Sequence, residues 1–259
     1  ADILGKRINL YHQYKVYSSL DGVKWNLLID KSKNQTDIPH EYFNRVCDFK
    51  LPAPREYAVG MVFLPKIPNQ HSFCKSVFEN EIKAQGLTIL GWRKVPVDSS
   101  QLGEIALASE PIIEQIFVAK TADISEAIFK AKLYAARKIA EHTIINSKIS
   151  ESHYFYIPSF SITTIIYKGI IMPEDIGPYY LDLQEKDLVT RLALVHQRFS
   201  TNTMPRWQLA QPFRFLAHNG EINTITGNRQ WARARQYKFA SPLLSDLQYA
   251  APFVSQSGS

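Results

Sequence analysis

A series of apolar segments, separated by proline, glycine and polar turns, constrains the fold of this chain more than any other feature. The segment Tyr57–Leu64 (YAVGMVFL) is apolar throughout and stops at Pro65, which predicts a buried strand. Further strands are predicted from apolar, β-branched and aromatic content at 87–97, 114–120, 153–161, 163–171, 191–200 and 213–222.

Helices are predicted between these groups of strands. Ser72 is placed to cap a helix that ends at Gly86. Asp123 and Glu126 match a capping box, which opens a second helix, and a third is expected at 223–238. The apolar stripe predicted for the second helix consists of Ile128, Ala131, Ala135 and Ile139. Because helices cluster between groups of strands and do not alternate with them, the pattern predicts the α+β class and argues against a doubly wound nucleotide-binding fold.

Composition excludes several classes of protein. With 45% hydrophobic and 12% aromatic residues among 259, the chain can build a core and is not intrinsically disordered. No run approaches about 18 consecutive apolar residues, so we expect no transmembrane helix. The two cysteines, Cys47 and Cys74, are too few for a secreted disulfide scaffold, which favours a reducing compartment.

Residues 1–36 differ from the rest because their hydrophobic periodicity is weak. A turn followed by a helix is expected at 37–43, and regular turn signals continue from there. We therefore predict an atypical or non-native N-terminal segment at 1–36 and a domain at 37–259.

The excess of positive charge, +6 in total, is densest at 229–238 (RQWARARQYK). A helix there could contact nucleic-acid phosphates, or it could be a solvated helix face anchored by a buried Trp231. No nucleic-acid-binding motif accompanies the stretch, which favours the solvated face.

The region 194–228 holds the densest collection of polar side chains, close to predicted strand ends. Polar groups at this density need partners if buried, so we expect them to line a solvent-facing cleft. His218, Asn219 and Gly220 follow a predicted strand, and a turn there can aim the Asn219 amide and the Gly220 N–H at one point, as an oxyanion hole requires. An Asn-Gly pair also forms plain hairpin turns, and spacing alone favours that interpretation.

Arg198 lies near the end of another predicted strand. An arginine there can hold a carboxylate through two parallel hydrogen bonds, or it can form an ordinary ion pair. Metal binding is not expected, because the seven histidines are scattered and no ligand motif is present. Cys74 falls on an apolar helical face and is expected to be packed in the core.

The long motif RFSTNT…QPFRFLAHNGEINT, preceded by VGMVFLP, LGWRKVP, EPIIEQIFV and TTIIYKGII in that order, resembles the glutamine amidotransferase domain of the glutamate synthase family. The resemblance implies a class II amidotransferase with a four-layer αββα sandwich of the N-terminal nucleophile hydrolase type. In that family a terminal cysteine attacks the side-chain amide of L-glutamine, its own α-amino group acts as the base, and a thioester forms before glutamate is released. The ammonia passes through a tunnel to 2-oxoglutarate in a separate domain of the polypeptide.

The resemblance also implies roles for individual residues. Arg198 would hold the α-carboxylate of glutamine, with Thr201 beside it, and Asn219 and Gly220 would form the oxyanion hole. His218 and Glu221 would frame that turn.

Three departures from the family pattern concern the nucleophile and the substrate's α-amino group. The chain begins with Ala1 and not with cysteine, and 1–36 contains no Gly-Asp-Gly-Ala-Gly loop. Close to Gln256, the family has an aspartate that binds the α-amino group. Either Gln256 takes its place and a charge partner is lost, or the aspartate lies just past the end of this sequence. Two accounts fit: a fragment of an ordinary glutamate synthase, incomplete at both ends, or a degenerate module that binds or supports without catalysis. We favour the fragment because Arg198 and the Asn219–Gly220 pair are intact, and we expect the chain as written to lack glutaminase activity.

The resemblance places the cofactors and most partners outside this chain. We expect no cofactor here, and FMN with an iron–sulfur cluster in the complete enzyme. The expected partners are L-glutamine, the synthase domains and an electron donor, either ferredoxin or a NAD(P)H-oxidising subunit. No nucleic acid or membrane is expected, and the compartment would be the cytoplasm or the plastid stroma.

Overall fold

The computed structural model describes residues 38–190, 192–199, 204–214, 216–218, 224–244 and 247–254. It also describes the backbone of two short antiparallel strands, β1 (Lys15–Ser18) and β2 (Asn26–Asp30). The rest of 1–36, which we predicted to be an atypical segment, lies outside the described residues.

A four-stranded antiparallel sheet forms the centre of the structure, in the order β4-β5-β3-β6. Its strands are β3 (Tyr57–Leu64), β4 (Thr88–Lys94), β5 (Ile112–Ala119) and β6 (Tyr156–Ser161). All eight residues of β3 are buried, because the strand lies inside the sheet and is covered on both faces. The predicted strand at Tyr57–Leu64 is therefore confirmed at both ends.

Six helices accompany the sheet in the described residues. They are α1 (His40–Val46), α2 (Pro68–Ala84), α3 (Glu104–Ala108), α4 (Glu126–Ile145), α5 (Ile176–Tyr179) and α6 (Ile225–Arg235). Along the chain, helices α1–α5 alternate with strands β3–β6, so the prediction that helices and strands do not alternate is wrong. The predicted α+β class nevertheless holds, because the described sheet is antiparallel and not parallel as in a doubly wound fold. None of the described helices has the length and apolar content needed to cross a bilayer.

Helices α2 and α4 cover one face of the sheet. Phe78 of α2 and Phe129 of α4 belong to one buried cluster with Ala58 and Val62 of β3. The opposite face of β3, which includes Met61, packs against the other two clusters.

The boundaries of both long helices differ from the prediction. Helix α2 begins at Pro68, whose missing N–H costs nothing in a first turn, and the Ser72 hydroxyl donates to the Pro68 carbonyl from inside the helix. Its predicted end is confirmed, since Gly86 has a φ of +71° just beyond the helix. Helix α4 is capped by Ser125, whose hydroxyl accepts the Ile128 N–H at 3.3 Å, and not by Asp123.

The apolar stripe predicted for α4 lies about one residue away from the set of residues that is buried in the structure. Ala135 is buried, but Ile128, Ala131 and Ile139 are only partly buried. The side chains that face the sheet are those of Phe129, Leu133, Ala136, Ala140 and Ile144.

Three other predicted strands are wrong within the described residues. The segment 163–171 is irregular, and the Ile166 N–H donates to the Ser159 hydroxyl in place of a neighbouring strand. Residues 192–199 form no strand. Phe213 and Leu216 pair across a tight turn in which Arg214 has a φ of +52°.

Helix α6 forms where a helix was expected but has no buried residue. The side chain of Trp231 is 70% exposed, so the prediction of a buried tryptophan anchor is wrong. The apolar stripe needed to bury one face of this helix is missing from its sequence.

Candidate functional site

A cleft with about 50 Å³ of free space lies on the face of the sheet opposite α2 and α4. Side chains and backbone from 168–176, 195–199 and Ala210–Gln211 form its walls. Arg198 and His196 contribute polar groups, whereas Ile171 and Ile176 contribute apolar surface. Part of the region expected to line a polar cleft therefore does line a cleft, but residues 168–176 form much of its wall and its surface is more apolar than polar.

Arg198 lies in this cleft and is exposed to solvent. Within the residues that the structure describes, its guanidinium makes no ion pair, in contrast to Arg45 and Arg93, which are both paired with carboxylates. An exposed guanidinium in a cleft has hydrogen-bond donors to spare for an incoming carboxylate. The described residues are compatible with both interpretations of Arg198, and its role as a carboxylate clamp stays a prediction.

His196 occupies the same wall. Its Nε2 atom is inaccessible to solvent and has no hydrogen-bond partner among the described residues. Burial lowers the pKa of His196, a hydrogen bond with the His218 backbone opposes that change, and electrostatic repulsion from His218 and Arg198 adds to the lowering. These three side chains therefore share one neighbourhood, in which His196 is held mainly as a neutral imidazole.

Gln211 connects the cleft to the His-Asn-Gly motif. Its side-chain Nε2 donates to the His218 carbonyl at 2.8 Å, and its Oε1 accepts the His218 N–H at 2.7 Å. One side-chain amide thus satisfies both backbone groups of one residue, and the residue that precedes Asn219 is held in place.

Lys168 lies at the base of the cleft and is 1% exposed. Its Nζ donates to the carbonyl oxygens of Gln208 and Ala210, each at 2.8 Å. It also lies 4.8 Å from the ring centroids of Tyr156 and Phe213. Burial lowers the pKa of Lys168 to about 7, because no carboxylate in the described part of the chain compensates its charge.

Of the residues predicted to bind or activate glutamine, the structure describes Arg198 and the framing residue His218. The remaining residues, Thr201, Asn219, Gly220, Glu221 and Gln256, lie outside the described residues. The described part brings Arg198, His196 and the His218 backbone together, and it leaves the other roles as predictions.

Neither cysteine has the properties of a nucleophile. Cys74 is fully buried in the core, as predicted, and burial raises the pKa of its thiol to about 12. Cys47 is partly buried, and the same cause raises its pKa to about 11. Both side chains are therefore protonated at neutral pH, and a thiol in that state is a poor nucleophile.

The described residues contain no group of three or more histidine, cysteine or acidic side chains close enough to hold a metal ion.

Sequence reasoning missed His196, Gln211 and Lys168. The sequence does indicate that Lys168 is unusual, because it is the one charged residue in the apolar segment TTIIYKGII, which suggests that the lysine is buried. Nothing in the sequence indicates that the side-chain amide of Gln211 bonds the backbone of His218, seven residues later.

Comparison with known proteins agrees with this picture. The family described as Glutamine amidotransferases class-II matches residues 33–259. The chain is 40% identical over 225 residues to "Glutamate synthase [NADPH] large chain" of Bacillus subtilis, covering 86% of this chain and 14% of that protein. It is 38% identical over 266 residues to "Glutamate synthase [NADH]" of Saccharomyces cerevisiae, covering 97% and 12%.

A third relative is "Ferredoxin-dependent glutamate synthase 2" of Synechocystis, 40% identical over 230 residues, which cover 86% of this chain and 14% of the relative. The chain therefore spans 12–14% of the length of these three curated relatives. Because the match extends over most of the chain and includes the cleft, the chain belongs to the class II glutamine amidotransferase family.

Proposed function

We propose that this chain is the glutamine-binding amidotransferase domain of a glutamate synthase. The observation that carries the proposal is the exposed Arg198, which faces a cleft and makes no ion pair within the described part of the chain. A substrate with an α-carboxylate supplies the missing partner.

The side-chain amide of glutamine then points toward the His-Asn-Gly motif. In this proposal Thr201 lies beside Arg198, and the Asn219 amide and Gly220 N–H stabilise the negative oxygen that forms when the amide is attacked. Gln256 takes the position near the α-amino group. The held backbone of His218 supports these roles, because it fixes the residue from which the Asn219–Gly220 pair continues.

We extend the proposal to the fold and its boundaries. Residues 37–259 form the amidotransferase domain, and 1–36 are atypical for it. The sheet β3–β6 and helices α2 and α4 supply one β layer and one α layer of a four-layer αββα sandwich.

In the complete enzyme, glutamine is hydrolysed to glutamate, and ammonia is channelled to 2-oxoglutarate in the synthase domains. Those domains would carry FMN and an iron–sulfur cluster and receive electrons from ferredoxin or a NAD(P)H-oxidising subunit. Burial keeps the thiols of Cys47 and Cys74 protonated, so neither serves as the nucleophile, and we expect the 259 residues to bind glutamine without hydrolysing it. The compartment would be the cytoplasm or the plastid stroma.

A second candidate is a degenerate module that keeps the fold and serves as a binding or structural domain. If Gln256 takes the place of the family's aspartate, the lost charge favours this module. The two candidates differ in glutamine binding, since a module without a substrate has no reason to select L-glutamine over D-glutamine.

Isothermal titration calorimetry of the purified 259-residue chain with L- and D-glutamine tests the proposal, and an assay for free ammonia follows in the same samples. We expect saturable binding of L-glutamine, at least tenfold weaker binding of D-glutamine, and no ammonia above the buffer blank. Equal or absent binding of both enantiomers would favour the degenerate module, and ammonia release would overturn the statement that the chain lacks a nucleophile.

A further inference from the structure

The side chain of Gln211 holds the backbone of His218 in a fixed position through two hydrogen bonds. The Gln211 side chain is buried, and the residue as a whole is 7% exposed. Its amide donates to one backbone group of His218 and accepts from the other, at 2.8 and 2.7 Å. Two antiparallel hydrogen bonds to one residue fix both the position and the orientation of that residue, which a single bond does not.

Lys168 in turn fixes the backbone on both sides of Gln211. The Lys168 Nζ donates to the carbonyls of Gln208 and Ala210, so the residue immediately before Gln211 cannot shift without breaking a buried hydrogen bond. The contact of Lys168 with the ring of Phe213 constrains the chain on the other side of Gln211 as well.

Burying an amine at this place costs free energy, since an apolar side chain of similar length would fill the same space without desolvating a polar group. The amine donates hydrogen bonds to two backbone carbonyls, which an apolar side chain cannot do. The position of the backbone around Ala210 is therefore the property that Lys168 contributes.

We propose that Gln211 and Lys168 are positioning residues of the glutamine site: Lys168 fixes the backbone at Ala210, and Gln211 fixes His218, the residue next to Asn219. The inference rests on the function proposed above, because it assigns the fixed backbone to the binding of the glutamine side-chain amide. Neither side chain needs to touch the substrate.

The test compares Gln211→Leu, Gln211→Glu and Lys168→Met with the unmodified 259-residue chain. Two quantities are measured: the Kd for L-glutamine by calorimetry, and the hydrogen exchange rate of the His218 amide by NMR without ligand. We expect Gln211→Leu to accelerate exchange at least tenfold and to weaken L-glutamine binding at least fivefold. Gln211→Glu keeps an acceptor for the His218 N–H, so its exchange rate should stay within threefold of the parent, with partial recovery of binding. Lys168→Met should weaken binding at least threefold.

Two matched controls remove similar contacts made by residues that do not line the cleft. Gln70 also uses its amide twice, accepting the Glu151 N–H and donating to the Ser150 hydroxyl, each at 2.8 Å. Lys132 donates to the Gln85 carbonyl. Gln70→Leu and Lys132→Met should leave both the His218 exchange rate and the Kd within twofold of the parent.

The outcomes separate the inference from the function on which it rests. If the parent chain binds L-glutamine and Gln211→Leu binds it equally well despite fast His218 exchange, the positioning role is wrong. If the parent chain does not bind L-glutamine, the proposed function fails and the positioning role fails with it. Should Gln211→Leu not fold, Lys168→Met decides, and a Kd for L-glutamine equal to that of Lys132→Met would overturn the inference.

Discussion

The Arg93 guanidinium and the Asp182 carboxylate form a bidentate ion pair, with Nη2–Oδ1 at 2.6 Å and Nη1–Oδ2 at 2.9 Å. Asp182 is fully buried, and its oxygens also accept the hydroxyls of Tyr42 at 2.7 Å and Tyr167 at 2.9 Å. The pair joins β4 to the segment after α5. It therefore ties the sheet to the layer of chain that forms the cleft.

Replacing Arg93 with methionine should destabilise the domain by about 3–5 kcal/mol, because Asp182 would be left buried with an uncompensated charge. Adding Asp182→Asn should restore part of that loss by removing the charge. Urea denaturation monitored by circular dichroism measures both variants. The control is Arg45→Met, whose ion pairs with Glu185 and Asp187 are exposed, and it should cost much less. Equal losses for Arg93→Met and Arg45→Met would contradict the role of burial.

Lys168 should make stability depend on pH in a direction that can be worked out in advance. Its pKa is lowered from 10.5 to about 7 in the folded state, so between these values the unfolded chain binds the extra proton. The contribution of Lys168 to the free energy of unfolding therefore increases as the pH rises above about 7, and it decreases again as the pH falls toward 7.

The free energy of unfolding of the parent minus that of Lys168→Met should increase by about 1 kcal/mol per pH unit between pH 7 and 9. The raised pKa values of Cys47 and Cys74 act in the opposite direction in both proteins and cancel in the difference. A difference that stays constant over this range would show that the amine keeps its ordinary pKa.

Gly169 and Gly227 should respond in opposite ways to alanine. A Cβ at Gly169 would overlap the ring of the buried Trp207, whereas a Cβ at Gly227 meets nothing within 4 Å. Gly169→Ala should therefore destabilise the domain by about 1–3 kcal/mol, and Gly227→Ala should stabilise α6 by up to about 1 kcal/mol. Thermal unfolding of both variants beside the parent checks the signs. Loss of stability by Gly227→Ala alone would contradict the described environments.

How far the fold could be predicted depended on what each segment packs against. The strand at Tyr57–Leu64 was predictable because it is covered on both faces and so is apolar throughout. The segment 163–171 has similar residue types but buries Ile166 and Lys168 against the sheet without pairing, and composition does not separate these two outcomes. The start of α2 was missed because Pro68 suits a first helical turn as well as a loop.

The sequence indicated Arg198 because its proposed role follows from the chemistry of its own guanidinium, which is exposed in the cleft; that role stays a prediction. The sequence does not predict a site residue whose role depends on a hydrogen bond from its side chain to a backbone group elsewhere in the chain. The amide of Gln211 and the amine of Lys168 are of that kind, since their partners follow from the path of the chain around Trp207 and Phe213.

The most direct test of the central claim is a cycle of four dissociation constants. L-glutamine and 4-aminobutanamide, which lacks the α-carboxylate, are each titrated into the parent chain and into Arg198→Met. If Arg198 holds the α-carboxylate, removing either partner should weaken binding at least tenfold, and removing both should cost little more than removing one. Arg206→Met, which alters an exposed arginine of the same region, should bind both ligands like the parent. Independent, additive losses, or equal binding of L-glutamine by the parent and Arg198→Met, would contradict the account.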